Sequence, residues 1–377
     1  MKSQILRLAC AWATVAAFQV FGGQLLGMLG APLASLAIFC WLLAIIIWAA
    51  FGVVHEAEEI AHRLGEPYGT LVLTLSIVII EVALISAVML GAKGAQTLGR
   101  DTMFAVLMIV LNGVVGLGLL IGGQRHFVQR YNLKGASSYL AVIIPLTVIT
   151  LVLPNFTTST PDGTLTTAQS ISFSIFTILL YGSFLILQTG RHRAFYQEPR
   201  EGSQDGSVAA AAVAATAEHD PGEGPHGGGT LPHVGLLLAN ILPIVVLAKS
   251  LATVLDFGIA RLGAPPALGG ILIAMVVFTP ECITALRAIT ANELQRAINL
   301  CLGAATSTLG LTVPAILTIG LITGQSVVLG LSQTNMVLLA MTLMLSTLTF
   351  TGTRTTMLEG AVHLSVFLVF VVLVFSP

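Results

Sequence analysis

Charged side chains are scarce in this chain of 377 residues, because Asp, Glu, Lys and Arg together make up only 9% of it. Soluble domains carry about a quarter, so a soluble globular protein is excluded. The 17 acidic and 16 basic residues nearly cancel, which offers no basic surface to a nucleic-acid partner. The four cysteines lie in apolar stretches without a CxxC pair or metal-finger spacing, and this indicates packing rather than a metal site.

Long apolar runs, in contrast, recur along the whole chain, and apolar residues make up 55% of it. A bilayer core about 30 Å thick needs about 20 apolar residues per helical crossing. Eleven runs approach or exceed that length: Leu8 to Leu29, Leu33 to Val54, Tyr68 to Leu90, Met103 to Gly123, Tyr139 to Phe156, Ala168 to Leu187, Val234 to Phe257, Pro265 to Ile289, Ala297 to Ile322, Thr334 to Phe350 and Met357 to Phe375. The sequence predicts an all-α polytopic membrane protein with about eleven transmembrane helices.

Basic residues predict the orientation, because Lys and Arg collect in cytoplasmic loops. Twelve of them lie before the first run or in the even-numbered loops, three lie in the odd-numbered loops, and Lys249 lies within a run. This places the N-terminus in the cytoplasm and the C-terminus outside. The first run also fits a signal peptide, but it is long for one and has no A-x-A site at its end.

One long segment is polar, from Arg191 to Pro232. Its Glu, Asp, Gly, Ala and Pro composition predicts a flexible acidic cytoplasmic loop, either a solvated linker or a transient binder of divalent cations. The loop suggests four parts: a leading transmembrane helix (1–32), a first five-helix repeat (33–190), the loop (191–232) and a second five-helix repeat (233–377).

An offset of 200 positions aligns Gly69 to Leu90 with Gly269 to Thr290 and places Glu81 on Glu281. The second stretch comes five segments after the first, an odd number, so the two are expected to cross in opposite directions. Inverted repeats with polar residues near the midplane are typical of secondary transporters. Glu81 and Glu281 are also the two acids that lie well inside apolar runs.

A pair of carboxylates at the midplane has a definite chemistry. An ionised carboxylate there costs about 3 kcal/mol or more, so it is normally protonated, paired or hydrated. Carboxylate oxygens bind hard cations and also protons, and Glu81 and Glu281 therefore predict a site that holds either. The alternative is that both are neutral and only hydrogen-bonded within the bundle.

Neighbouring segments carry further oxygen atoms that can ligate a cation. Asn112 and Ser307 are the first candidates; the others are Thr279, Thr306, Thr308, Thr74 and Ser76. Such small polar residues serve helix packing just as commonly. Some helices are expected to be loosened, which frees backbone carbonyls as further ligands. The residues expected to do this are Thr279 and Pro280 in one run and Gly303, Gly310 and Pro314 in the next.

Two histidine-containing features stay open. His55, Glu58, Glu59 and His62 have helical spacing and fit either a metal site or a hydrated turn that acts as a cation vestibule. The sequence there is not the HExxH of zinc proteases, which weakens the case for a membrane-embedded hydrolase. His363, inside the last run, fits a proton relay or a packed neutral side chain.

The chain resembles the calcium/cation antiporter superfamily, and within it the bacterial ChaA-type cation/proton antiporters. The resemblance is carried by RLGEPYGTLVLTLSIVIIEVALI, RDTMFAVLMIVLNGVVG, TPECITALRAITANELQRAINLCLGAATSTLGLTVP and TFTGTRTTMLEGAVHL. It implies that Glu81 and Glu281 are the acids of the two superfamily repeats. The superfamily pattern at each acid is approximately GNAxE, whereas this chain has IVIIE ending at Glu81 and VFTPE ending at Glu281. Monovalent cations are therefore candidate substrates beside Ca²⁺.

The resemblance implies a secondary transporter of the bacterial cytoplasmic membrane that exchanges cytoplasmic Ca²⁺, or Na⁺ and K⁺, for external protons. It implies no enzyme activity and no cofactor, with inorganic cations, protons and the lipid bilayer as partners, and it allows a homo-oligomer. A passive cation channel is the main rival, because it would use the same acids without obligatory proton coupling.

We expect the polar loop to be dispensable for exchange, because the two repeats contain every candidate ligand. Deleting residues 202–228 should leave pH-gradient-driven cation flux in membrane vesicles within about twofold of wild type. A deletion variant that inserts normally and does not transport would contradict this and give the acids of the loop a role.

Overall fold

The computed structural model describes residues 2–64, 68–91, 95–197, 230–352 and 354–376. These ranges form eleven helices: α1 Lys2–Gly27, α2 Pro32–Leu64, α3 Tyr68–Gly91, α4 Leu98–His126, α5 Leu133–Phe156, α6 Thr167–Thr189, α7 Thr230–Leu262, α8 Ala267–Thr290, α9 Leu294–Thr323, α10 Gln333–Thr349 and α11 Met357–Phe375. Nine helices in the described ranges are long and apolar enough to cross a membrane. The all-α polytopic fold is confirmed. Most of the polar loop, residues 198–229, lies outside the described ranges.

Loop contacts sort the helix ends into two groups. Strand β1, Gln129–Arg130 between α4 and α5, pairs antiparallel with strand β2, Arg354–Thr355 between α10 and α11. We call the end of the bundle that carries this strand pair the basic end, because the even-numbered loops carry most of the basic residues. In the other group, the backbone N–H of Leu329 donates to Gly163 O at 3.0 Å and joins the α9–α10 loop to the α5–α6 loop. Even-numbered loops thus meet at one end and odd-numbered loops at the other.

The helices also correspond in pairs. Helices α2 and α7 both have 33 residues, and α5 and α10 begin at residues 133 and 333, which are 200 positions apart. Turns of π-helix begin at Met108 in α4 and at Thr308 in α9, again 200 apart. Helix α1 has no counterpart. The division into inverted five-helix repeats agrees with these bounds and stays a prediction.

The expected loosening occurs in α9 and not in α8. The π-helical turn Thr308–Thr312 comes directly before Val313 and Pro314, and Pro314 has no N–H to donate to the helix ladder. Helix α8, in contrast, continues through Pro280 to Thr290. The main distortion near the two acids therefore lies on the helix that runs beside them.

Helices α4 and α11 approach until their backbones touch, at Gly116 and Gly360. A Cβ atom on Gly360 would lie 2.7 Å from the carbonyl oxygen of Gly116 and 2.7 Å from the backbone nitrogen of Leu120. Small residues allow this kind of approach between membrane helices. The contact holds α11 against the π-helical turn of α4.

We therefore expect Gly360→Val to lower the free energy of unfolding by roughly 1–3 kcal/mol, because the added methyl groups must push two backbones apart. Thermal melting of the purified protein in detergent measures the effect. Gly182→Val in α6 is the control, since nothing lies within 4 Å of a Cβ at that glycine. Equal melting temperatures for the two variants would refute the tight α4–α11 contact.

Candidate functional site

Glu81 lies on α3 with no exposed surface. The hydroxyl of Thr308, in the π-helical turn of α9, donates to its Oε2 atom at 3.0 Å. The Oε1 atom has no hydrogen-bond partner among the described residues. Thr312, one turn further along α9, also approaches this carboxylate. The first acid is thus held by a hydroxyl of the other half of the chain.

Glu281 lies on α8 and is 7% exposed. Neither of its carboxylate oxygens has a hydrogen-bond partner within the described ranges. It lines a cavity of about 350 Å³, which is also lined by Ser307, by Ile77 of α3 and, at the basic end, by Arg193 and Arg296. The second acid therefore faces a space that extends toward the basic end.

Helix α9 links the two acids. Ser307 shares the cavity with Glu281, and the next residue, Thr308, holds Glu81. Helices α3 and α8 are also in direct contact, and the two carboxylates are close enough for their charges to interact. The structure therefore gathers Glu81, Glu281, Ser307 and Thr308 in one buried region.

The oxygen atoms of this region suit both cargoes that the sequence predicts. Two carboxylates and the hydroxyls of Ser307, Thr308 and Thr312 are hard ligands of the kind that Na⁺, K⁺ and Ca²⁺ require. A carboxylate buried without a partner also favours its protonated form, because burial disfavours charge. A cation and protons can therefore replace one another at the same oxygens.

Asn112 has a different environment from the one expected of a cation ligand. Its Oδ1 atom accepts from Nδ1 of His363 at 3.0 Å, and its Nδ2 atom donates to the hydroxyl of Thr342 at 2.8 Å. His363 is fully buried, and its Nε2 atom accepts from the hydroxyl of Thr349 at 3.0 Å. Asn112 and His363 thus satisfy each other in a closed network between α4, α10 and α11.

Most of the other candidate ligands bond to their own helix. The hydroxyls of Ser76, Thr279 and Thr306 each donate to the carbonyl oxygen four residues earlier. The side chain of Thr74 lies outside the described residues. The hydroxyl of Ser307 also donates to its own helix, to Ala304 O at 3.0 Å, although Ser307 lines the cavity beside Glu281. Thr308 is therefore the candidate whose hydroxyl binds one of the two acids in the described structure.

The predicted histidine cluster on α2 shows no metal geometry. Within the described part of the chain, no three His, Cys, Asp or Glu side chains are arranged to hold a metal ion. His55 and Glu58 are exposed. The buried polar residue of this turn is Glu56, which sequence reasoning passed over.

Thr312 was also missed, although a signal for it existed. The 200-position offset that pairs Glu81 with Glu281 pairs Asn112 with Thr312. A candidate in one half therefore indicated its counterpart in the other. The residues that line the cavity at the basic end, such as Tyr196 and Asn299, had no signal, because they come together only in the folded bundle.

Comparisons with known proteins show the family and the fold of the chain. A family model described as sodium/calcium exchanger protein matches residues 34–190 and 232–376. An ionic transporter by name, y4hA of Sinorhizobium fredii, is 40% identical over 87% of this chain and 86% of its own. The sodium-potassium/proton antiporter ChaA of Escherichia coli is 36% identical over 88% of this chain and 87% of its own. In fold, the chain is similar to a solved structure of YfkE, with a TM-score of 0.72 and 16% identity. The match covers 98% of this chain and 100% of YfkE.

The family model covers both halves and omits α1 and the polar loop. The relatives are ion exchangers and transporters, so the expectation of a transporter rather than an enzyme is confirmed. The chain belongs to the sodium/calcium exchanger protein family.

Proposed function

We propose that the protein is a cation/proton antiporter that exchanges cytoplasmic Na⁺, K⁺ or Ca²⁺ for external protons, with Glu81 and Glu281 holding either cargo. The observation that carries the proposal is the pair of buried acids beside Ser307 and Thr308 of α9. Three of their four carboxylate oxygens have no hydrogen-bond partner among the described residues. Such groups need a proton or a cation to be stable in a membrane interior.

The position of the cavity supports access to the site from the cytoplasm. It is lined by Arg193 and Arg296, which follow α6 and α8 and so belong to the end that the distribution of basic residues assigns to the cytoplasm. Glu281 lines the cavity, and Glu81 lies deeper, against α9. A cytoplasmic cation would therefore meet Glu281 first and complete its coordination at Glu81 and Thr308.

Alternating access would follow from the inverted repeats. In such transporters one half moves against the other around a site near the midplane. The paired helix bounds and the two blocks of the family match, 34–190 and 232–376, support this division. In the outward-open state, Glu81 of α3 would then face an external cavity and Glu281 of α8 would be enclosed.

The identity of the cation can be narrowed by the relatives. ChaA, at 36% identity, is named as a sodium-potassium/proton antiporter, whereas YfkE, at 16%, is named as a Ca²⁺/H⁺ antiporter. Ca²⁺ usually takes six to eight oxygen ligands, and Asn112 is engaged with His363 instead. We therefore propose Na⁺ and K⁺ as the first substrates to test, with Ca²⁺ beside them.

Glu81→Gln and Glu281→Gln should each reduce pH-gradient-driven flux of all three cations to less than about a tenth of wild type, because the amide cannot exchange a proton for a cation. Cation flux into vesicles with an imposed pH gradient measures this. Glu293→Gln is the control, since the Glu293 side chain is 45% exposed and pairs with Arg296 at 3.1 Å. Wild-type flux in the Glu81→Gln protein would end the two-carboxylate mechanism.

Thr308→Val should weaken apparent cation affinity about tenfold and keep proton coupling, because a hydrogen bond to a charged group contributes about 1.5–3 kcal/mol. Ser307→Ala should act in the same direction with a smaller effect. Thr318→Val on the same helix is the control, as its hydroxyl donates to Pro314 O at 2.7 Å. The measurement is the cation concentration that gives half-maximal flux, and equal values for Thr308→Val and Thr318→Val would exclude Thr308 from the site.

A further inference from the structure

Helix α1 lies outside the two blocks of the family match, yet it carries a buried charge. Arg7 is 8% exposed, and its Nε and Nη2 atoms have no hydrogen-bond partner among the described residues. Burying a charge is costly unless it is paired. Arg7 therefore depends on a nearby opposite charge.

Glu56 of α2 provides that charge. It is 1% exposed, and its carboxylate lies within electrostatic range of Arg7. Gln4 of α1 donates to Oε1 at 3.3 Å, and His233 of α7 binds Oε2 through Nδ1 at 2.8 Å. A carboxylate only accepts, so the histidine Nδ1 carries the hydrogen. One carboxylate thus joins three helices.

A glycine in α2 leaves room for the side chains of this cluster. A Cβ on Gly52 of α2 would lie 2.5 Å from Nε of Arg7 and 2.3 Å from Oδ1 of Asn240 on α7. The amide nitrogen of Asn240 donates to Leu236 O, which leaves its oxygen toward Arg7. One further bond ties α1 to α7, from the indole N–H of Trp12 to Ala239 O at 3.1 Å.

The helices that the cluster joins are the corresponding members of the two halves. Helices α2 and α7 pack closely against each other, and both contact α3, which carries Glu81. A change in the contact between α2 and α7 therefore reaches the helix of the first acid. Conformational steps limit turnover in many enzymes, and alternating access requires such a step here.

We propose that Arg7, Glu56 and His233 are positioning residues that form a proton-sensitive clamp, through which α1 holds α2 and α7 together and slows exchange when the adjacent solution turns acidic. The proposal rests on the proposed antiport. His233 lies in the first turn of α7, just after the polar loop, and its side chain is 21% exposed, so protons from that side reach it. An imidazolium binds a carboxylate more strongly than a neutral imidazole does.

The physiological sense of the clamp follows from the direction of exchange. Each cycle would bring protons into the cytoplasm, so a clamp that tightens in acid limits further acidification. Histidine suits this role because its side chain can gain a proton in mildly acidic solution. Among the described side chains, Glu56 is the titratable group bonded to His233. Other charged or titratable groups at this end of the helices packed against α7 are Lys2, His55, Glu58, Glu59, His62, Arg63 and Arg287.

Everted membrane vesicles test the clamp, because their outer face is the cytoplasmic one. Cation flux is compared at outer pH 7.5 and 5.5 with the pH difference across the membrane held constant. We expect His233→Gln to match wild type at pH 7.5 and to reduce the ratio of the two rates at least about threefold, since glutamine keeps a donor for Glu56 and cannot be protonated. Glu56→Gln should flatten the profile in the same way. His55→Gln, at the exposed neighbouring position, should keep the wild-type profile.

The fluorescence of Trp12 gives a readout that does not depend on transport. In a Trp41→Phe, Trp48→Phe background, emission of Trp12 at the α1–α7 contact should shift between pH 7.5 and 5.5, and His233→Gln should abolish the shift. If wild type shows this shift and no proton-coupled flux, the antiport fails and the clamp stands. A wild-type pH profile and an unchanged fluorescence shift in His233→Gln would overturn the clamp.

Discussion

The hydrogen bond from Thr308 to Glu81 is the interaction on which the central site depends. A carboxylate without a partner is unstable in a membrane interior, and one hydroxyl at 3.0 Å stabilises it from a helix of the other half. The hydroxyl can reach the acid because α9 widens into a π-helical turn at Thr308–Thr312, and π-helical turns often occur at functional sites. Ser307, the residue directly before this turn, lines the cavity beside Glu281.

The two acids are related by sequence position and differ in surroundings. Thr308 holds Glu81, but the residue 200 positions before Thr308 is Met108, whose sulfur accepts from Asn112 and Thr342 at 3.7 Å. No hydroxyl of the described residues holds Glu281 in the equivalent way. In this conformation Glu81 is therefore enclosed, while Glu281 faces the cavity. This difference is what an exchanger open on one side requires, because one acid must meet the solution before the other.

Much of the fold could be predicted from the sequence, because hydropathy decides which stretches cross a membrane. Glu81 and Glu281 were recognisable because an acid is rare inside an apolar run. Asn112 could not be assigned in this way, since its partner His363 is 251 positions away and only the contact between α4 and α11 brings them together. Arg7 and Glu56 gave no signal either, because charges near the ends of apolar runs are ordinary. Their burial arises from the packing of α1 against α2 and α7.

The central claim is that protons and cations compete for Glu81 and Glu281. The most direct test is to add Na⁺, K⁺ or Ca²⁺ separately to the purified protein in weakly buffered solution and to record the pH. The account predicts that a transported cation releases protons from the wild-type protein, and that the release is lost when both acids are replaced by glutamine. Cation binding, detected by calorimetry, that releases no protons from the wild-type protein would contradict it.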